Sequence, residues 1–199
     1  VSTYEQSIFL RLMRWLYGIG IRLYGLGIAI AALWNPKAKM WVQGRKNWRT
    51  HLQEAIDPSK EWYWFHCASL GEFEQGRPLI EIMRKEKPNA GILLTFFSPS
   101  GYEIRKDYDV ADHVCYLPLD TPKNAQDFVR ILAPKAAVFM KYEFWGNLLV
   151  SLDDVLAPRF LVSAIFRKEQ HFFSWYGGWF RKVLKGFKTI FVQDQASHD

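Results

Sequence analysis

Chemistry that depends on cysteine or clustered histidine has little to work with in this sequence. Its 199 residues hold two cysteines, Cys67 and Cys115, and five scattered histidines. Both cysteines fall inside apolar β-type runs without metal-ligand spacing, so they read as reduced core thiols of a cytosol-facing domain. No two histidines stand four apart, and a helical metal site is not expected. Gly-x-Gly-x-x-Gly, a Walker loop and Gly-x-Ser-x-Gly are all missing, which removes direct support for nucleotide binding and for a serine nucleophile elbow. There is no internal repeat and no low-complexity tract. Acid is scarce at one end. Residues 1–50 carry eight Lys/Arg and only Glu5, or +7, whereas the other 149 residues carry 18 basic and 19 acidic groups, or −1. A nucleic-acid binder would spread basic charge over its fold. A basic segment beside a membrane would concentrate it in this way.

What is abundant is apolar and aromatic, at 49% and 17% of the chain. Such a share of Trp and Tyr suits a membrane interface or a large cleft, besides an aromatic core. Between Trp15 and Trp34 the only charge is Arg22. A span needs ~20 apolar residues, and tryptophans at both ends resemble interfacial anchors. A midplane arginine is costly, so a helix lying in the interface is the alternative, and a buried core helix a third. The run is too long for a cleavable signal peptide. Pro36 is expected to stop it, with a basic linker following through Arg49.

From Glu61 short β-rich runs (62–67, 91–97, 113–117, 136–140, 159–163 and 189–193) alternate with helical stretches near 72–86, 99–107, 122–132, 144–152 and 172–186. Continuous apolar strands in alternation predict an α/β domain: a Rossmann-like parallel sheet with helices on both faces. The expected organisation is a hydrophobic, basic membrane-anchoring segment over 1–50 and an α/β domain over 51–199. Residues 164–188 interleave six basic residues, among them Arg167, Lys168, Arg181 and Lys182, with eight aromatics. This suits a phosphate-bearing amphiphile or bilayer surface, a single-stranded nucleic acid, or a packed helix with a solvated basic face.

Ligands of open α/β sheets bind beyond the carboxyl ends of the strands. Three such ends carry unusual residues. In His66-Cys67-Ala68-Ser69-Leu70-Gly71-Glu72, glycine admits close backbone approach and free amides can hold an anion. Glu72 is equally an ordinary first-turn acid or a catalytic base. Ser98-Pro99-Ser100-Gly101 is ordinary capping and also a second ring of donors. Lys141-Tyr142-Glu143-Phe144-Trp145-Gly146-Asn147 brings Glu143 to the same rim, and two carboxylates there can divide base and orienting roles.

In that order, with Tyr116-Leu117-Pro118-Leu119-Asp120 between the second and third, these motifs resemble the Kdo (3-deoxy-D-manno-octulosonic acid) transferases of lipopolysaccharide biosynthesis. The resemblance implies the N-terminal half of a GT-B glycosyltransferase, preceded by a hydrophobic membrane helix. It implies transfer of Kdo from CMP-Kdo to a lipid A precursor (lipid IVA), inverting and without a metal or other cofactor, at the cytoplasmic face of the inner membrane. CMP-Kdo would be bound mainly by a C-terminal domain beyond Asp199, without which these residues should be inactive. Glu72 matches the family's catalytic glutamate and Glu143 a second functional acid. Ser69, Gly71, Ser98, Ser100 and Gly101 would line the acceptor site. Trp15, Arg22, Trp34, Arg167, Lys168, Arg181 and Lys182 would meet the membrane or lipid. The chain departs from the pattern at Lys141, Gly146 and Ser163-Ala164-Ile165. The rival expectation is a non-catalytic module that docks on anionic lipid. Nucleic acid is not expected as a partner.

Overall fold

The computed structural model describes residues 3–141, 143–166 and 177–194, with side chains from residue 11 onward. Helices α1 (Thr3–Ala31), α2 (Pro36–Gln43) and α3 (Trp48–Ala55) precede the sheet. Strands β1 (Trp62–Cys67), β2 (Gly91–Phe96), β3 (His113–Tyr116), β4 (Ala136–Met140), β5 (Arg159–Ala164) and β6 (Thr189–Val192) then alternate with α4 (Leu70–Glu86), α5 (Pro99–Arg105), α6 (Pro122–Leu132), α7 (Gly146–Asp154) and α8 (Gly178–Lys185). All pairings are parallel, in the order β3-β2-β1-β4-β5-β6. This is the doubly wound Rossmann order, with its topological switch point between β1 and β4.

The central strands β1 and β2 are apolar on both faces, and both faces are covered. β1 is buried at every position. Trp62 and Trp64 join Phe128 of α6 and Leu148 of α7 in one core, while Tyr63, Phe65 and Cys67 join Phe73 and Ile80 of α4 in the other. Strand side chains alternate between faces, so one six-residue run supplies two cores. Cys67 and Cys115 are free thiols within strands, as expected.

The N-terminal expectations need correction. The basic linker is helical. Pro36 does not stop the first helix, which ends earlier at Ala31; it opens α2, with the Asn35 side chain accepting the Lys37 and Ala38 amides. Proline fits the first helical position because its missing N–H would have no partner there, so it reads equally as a stop or a start. Among the described residues no helix is long and apolar enough to cross a membrane. Instead α1 lies against the carboxyl rim of the sheet. Its Tyr17 hydroxyl donates to Asp120 Oδ2 at 2.6 Å, its Tyr17 ring meets Trp179 at 5.0 Å, and a side chain at Gly25 would collide with Leu119. The opposite face is exposed and apolar: Leu12, Trp15, Leu16, Leu23, Leu26 and Ile30 follow one another at helical spacing.

Candidate active site at the carboxyl rim

Glu72 and Glu143 follow β1 and β4, the two strands that flank the switch point. Ser69 is the N-cap of α4, and Glu72 is the third residue of the helix. The Glu72 carboxylate folds back to accept the Ala68 amide, and the Ser69 amide as well. This is the glutamate half of a capping box, while the Ser69 side chain makes no capping bond. Glu72 is therefore a helix-capping acid in fact. It is also chemically tuned. Burial, and then the charge of Glu143, raise its pKa above the ordinary carboxylate value, against the two amides and His66, which lower it. Capping and a raised pKa thus coincide in one side chain.

Glu143 is buried in a polar network that the sequence did not announce. His66 Nε2 lies 3.0 Å from Glu143 Oε2, and His66 Nδ1 lies 2.8 Å from Thr95 Oγ1. Trp64 Nε1 donates to the same Thr95 oxygen at 2.8 Å, and Trp145 Nε1 donates to Glu143. Indole is a donor only, so Thr95 accepts from Trp64 and turns its own proton elsewhere. Its choices are His66 at 2.8 Å and the Phe65 carbonyl at 3.4 Å. His66 therefore bridges Thr95 and Glu143: with its proton on Nε2 it donates to Glu143 and accepts the Thr95 hydroxyl at Nδ1. His66 had a place in the motif but no role. The available signal was its position: a polar residue inside a fully apolar strand.

The remaining predicted residues divide. Ser98 Oγ and Ser100 Oγ are 2.6 Å apart, and the Ser98 amide binds the Ala68 carbonyl at 2.8 Å, tying this turn to the Glu72 turn. Phe97 and Trp145 close the space between the Ser98 turn and Glu143, with rings 4.5 Å apart. Gly71 is exposed, and a side chain there would meet nothing within 4 Å, so the backbone is open to a ligand. Gly101 is buried, and the ring of Phe96 occupies the place of its missing side chain. Its glycine serves packing beneath the rim.

The Leu-Pro-Leu-Asp motif proves to be a brace. The Asp120 carboxylate accepts the Asn147 and Leu148 amides at 3.0 and 2.8 Å and the Tyr17 hydroxyl at 2.6 Å. It caps α7 and pins α1 to it. Burial lifts its pKa to about 7, against these three bonds, which pull it down. The departures from the family pattern also have local form. A side chain at Gly146 would collide with the Trp179 ring. Lys141 and Ser163 both take left-handed φ, at 59° and 60°, where β4 and β5 end.

Of the predicted lipid contacts, Trp15 and Trp34 are 61% and 71% exposed, on α1 and just past it. Arg22 is exposed on α1, as are Arg181 and Lys182 on α8. Lys182 lines a cleft of about 460 Å³ with Arg11 and Arg14 of α1, which joins the two basic segments. Arg167 and Lys168 lie outside the described residues. Among the described residues no group of three or more His, Cys, Asp or Glu side chains could hold a metal ion.

The chain is an α/β domain with a doubly wound sheet, and its paired acids stand at the carboxyl rim, where such sheets bind ligands. A family model described as 3-deoxy-D-manno-octulosonic-acid transferase (Kdo transferase) matches residues 45–199, and the chain belongs to that family. Curated relatives agree. The chain is 34% identical to 3-deoxy-D-manno-octulosonic acid transferase of Aquifex aeolicus over 113 residues, which are 56% of the chain and 30% of that protein. It is 31% identical to the enzyme of that name from Haemophilus influenzae over 96 residues, 48% of the chain and 22% of the relative. It is 32% identical to a probable mitochondrial 3-deoxy-D-manno-octulosonic acid transferase of Arabidopsis thaliana over 111 residues, 55% and 25%. The matched part thus spans less than a third of each of these relatives.

Proposed function

We propose that this chain is the acceptor-binding domain of a glycosyltransferase that moves Kdo from CMP-Kdo to a lipid A precursor, lipid IVA, in lipopolysaccharide synthesis. The observation that carries the reading is Glu72, a half-buried carboxylate with raised pKa at the switch point, in a chain of the Kdo transferase family. Glu72 takes the proton of an acceptor hydroxyl. The freed oxygen pair forms a bond to the anomeric carbon of Kdo, and the bond from that carbon to the CMP phosphate breaks, its electrons leaving with CMP. A single displacement inverts the centre. A raised pKa brings a carboxylate closer to the working pH as a base. Ser69, Gly71, Ser98 and Ser100 line the acceptor's approach. Glu143, held by His66 and Trp145, orients the acceptor and keeps Glu72 basic. The reaction is proposed as metal-independent by family likeness.

The exposed apolar face of α1, edged by Arg11 and Arg22, supports a second element of the proposal: the domain lies on the cytoplasmic face of the inner membrane, with α1 in the interface. The same face would serve a non-catalytic docking module. Glu72→Gln in the full-length protein separates the two. Transfer from CMP-Kdo should fall ~100–10,000-fold, the usual worth of a general base, with vesicle binding kept. Unchanged transfer rejects Glu72 as the base, and absence of transfer in the unsubstituted protein rejects the enzyme reading.

A further inference from the structure

A cavity of about 660 Å³ opens between α1, the α2–α3 turn and the start of α6. Among the described residues three arginines line it, Arg22, Arg45 and Arg49, and no acid does. Arg49 is neutralised by Asp127 at 2.8 Å. Arg45 is not. Its guanidinium donates to the carbonyls of Trp41, Leu117 and Phe97 at 3.0, 2.7 and 2.7 Å and lies 3.6 Å from the Trp41 ring. Among the described residues neither Arg45 nor Arg22 has a carboxylate within ion-pair distance. Arg22 donates to the Gly18 carbonyl at 3.4 Å. A largely buried cation held by carbonyls alone leaves a positive field in the space beside it. The first turn of α3 adds to that field. Asn47, Trp48, Arg49 and Thr50 all line the cavity, and the Asn47 side chain makes no capping bond. Helix-start amides without a side-chain cap suit an anion.

The fourth wall says what kind of anion. Leu26 and Ala29 of α1 line the cavity, and Leu26 also belongs to the outward apolar stripe. A ligand can therefore place charge on Arg22 and Arg45 while its apolar part follows α1 into the interface. The inner wall leads to the rim, since Arg45 holds the Phe97 carbonyl and the Phe97 ring packs on Trp145 beside Glu143.

We propose that this cavity is a phosphate subsite for a membrane-borne phospholipid or glycolipid phosphate, held by Arg22, Arg45 and the α3 amides, and that it seats the acceptor lipid for Glu72. The second half rests on the transferase reading; the first does not.

The test uses full-length protein and short-chain phosphatidic acid below its micelle concentration, with binding followed by calorimetry. The matching diacylglycerol and inorganic phosphate serve as separate probes. Phosphatidic acid should bind, the neutral lipid should not, and inorganic phosphate should bind more weakly than the lipid. Arg22→Glu should weaken phosphatidic acid roughly tenfold or more. Ala29→Trp, at an exposed position, fills the cavity and keeps every charge, so it too should weaken binding. If the lipid merely partitions onto α1, the added tryptophan strengthens binding instead, and that result overturns the site. Equal binding of the neutral lipid, or of inorganic phosphate, also overturns it. The readout is binding, so it stands apart from whether Glu72 supports transfer. If the site binds but Ala29→Trp leaves the KM for the lipid acceptor unchanged in an active enzyme, the seating role is rejected.

Discussion

Glu72 is both a cap and a tuned acid, and a substitution can separate the two. Glutamine at the same position can still receive the Ala68 and Ser69 amides through its carbonyl oxygen, so Glu72→Gln should leave unfolding free energy within about 0.5 kcal/mol of the parent. Loss of transfer with an unshifted denaturation curve is then a chemical effect. A larger fall in stability would mean that the charge itself holds the turn. The pH profile carries a signed expectation. A base works when deprotonated, so kcat/KM should rise with pH through the Glu72 pKa, which lies above the ordinary carboxylate value. Burial is the first cause of that shift and the Glu143 charge the second. Glu143→Gln removes only the second, so the acid limb should move to lower pH without reaching the ordinary value. An unmoved limb would show that the two acids do not interact.

The joint between α1, the β3–α6 loop and α7 is a matter of elements. One carboxylate, Asp120, accepts the Asn147 and Leu148 amides in the first turn of α7 and the Tyr17 hydroxyl of α1. Asp120→Ala should cost about 1–3 kcal/mol, because it strands buried donors, and urea denaturation would measure it. Tyr17→Phe removes the α1 donor to Asp120 and, with it, the acceptor of the Gly146 amide at 3.2 Å. Hydrogen exchange should quicken over residues 11–31 in that variant and stay slow in β1 and β4. Equal quickening in the strands would mean that α1 and the sheet open together. Gly146→Ala probes the same joint from the other side. Its methyl group meets the buried Trp179 ring, and overpacking of that kind costs typically 1–3 kcal/mol.

At the scale of the molecule, the basic N-terminal 50 residues also carry the exposed apolar stripe of α1. α1 turns Tyr17 and Gly25 to the body and Leu16 and Leu23 outward, the latter two 45% and 62% exposed. Leu16→Asp with Leu23→Asp should reduce flotation with anionic vesicles tenfold or more and leave the thermal midpoint unchanged. A lowered midpoint would instead make that face part of the fold's own packing.

The sequence by itself determined the α/β class, the six strands to within a residue, and the rim turns that carry Glu72, Ser98 and Glu143. Those features are local: strand apolarity, helix starts and turn residues are written in consecutive positions. It did not disclose that residues 36–55 fold as two short helices, since Pro36 and a run of basic residues fit a linker equally well. Nor did it disclose what α1 rests on. Apolarity shows that a helix must be covered but not by what, and only the packed structure turned Tyr17 to Asp120 and left the opposite stripe bare. The His66–Thr95–Glu143 network also needed tertiary structure. Its members are 29 and 77 residues apart, and only the parallel pairing of β1 with β2 and β4 brings them together. Glu72 shows the same division. Its place in the first turn of α4 is local, whereas its burial and the Glu143 charge that lift its pKa come from the neighbouring strand ends of the folded sheet.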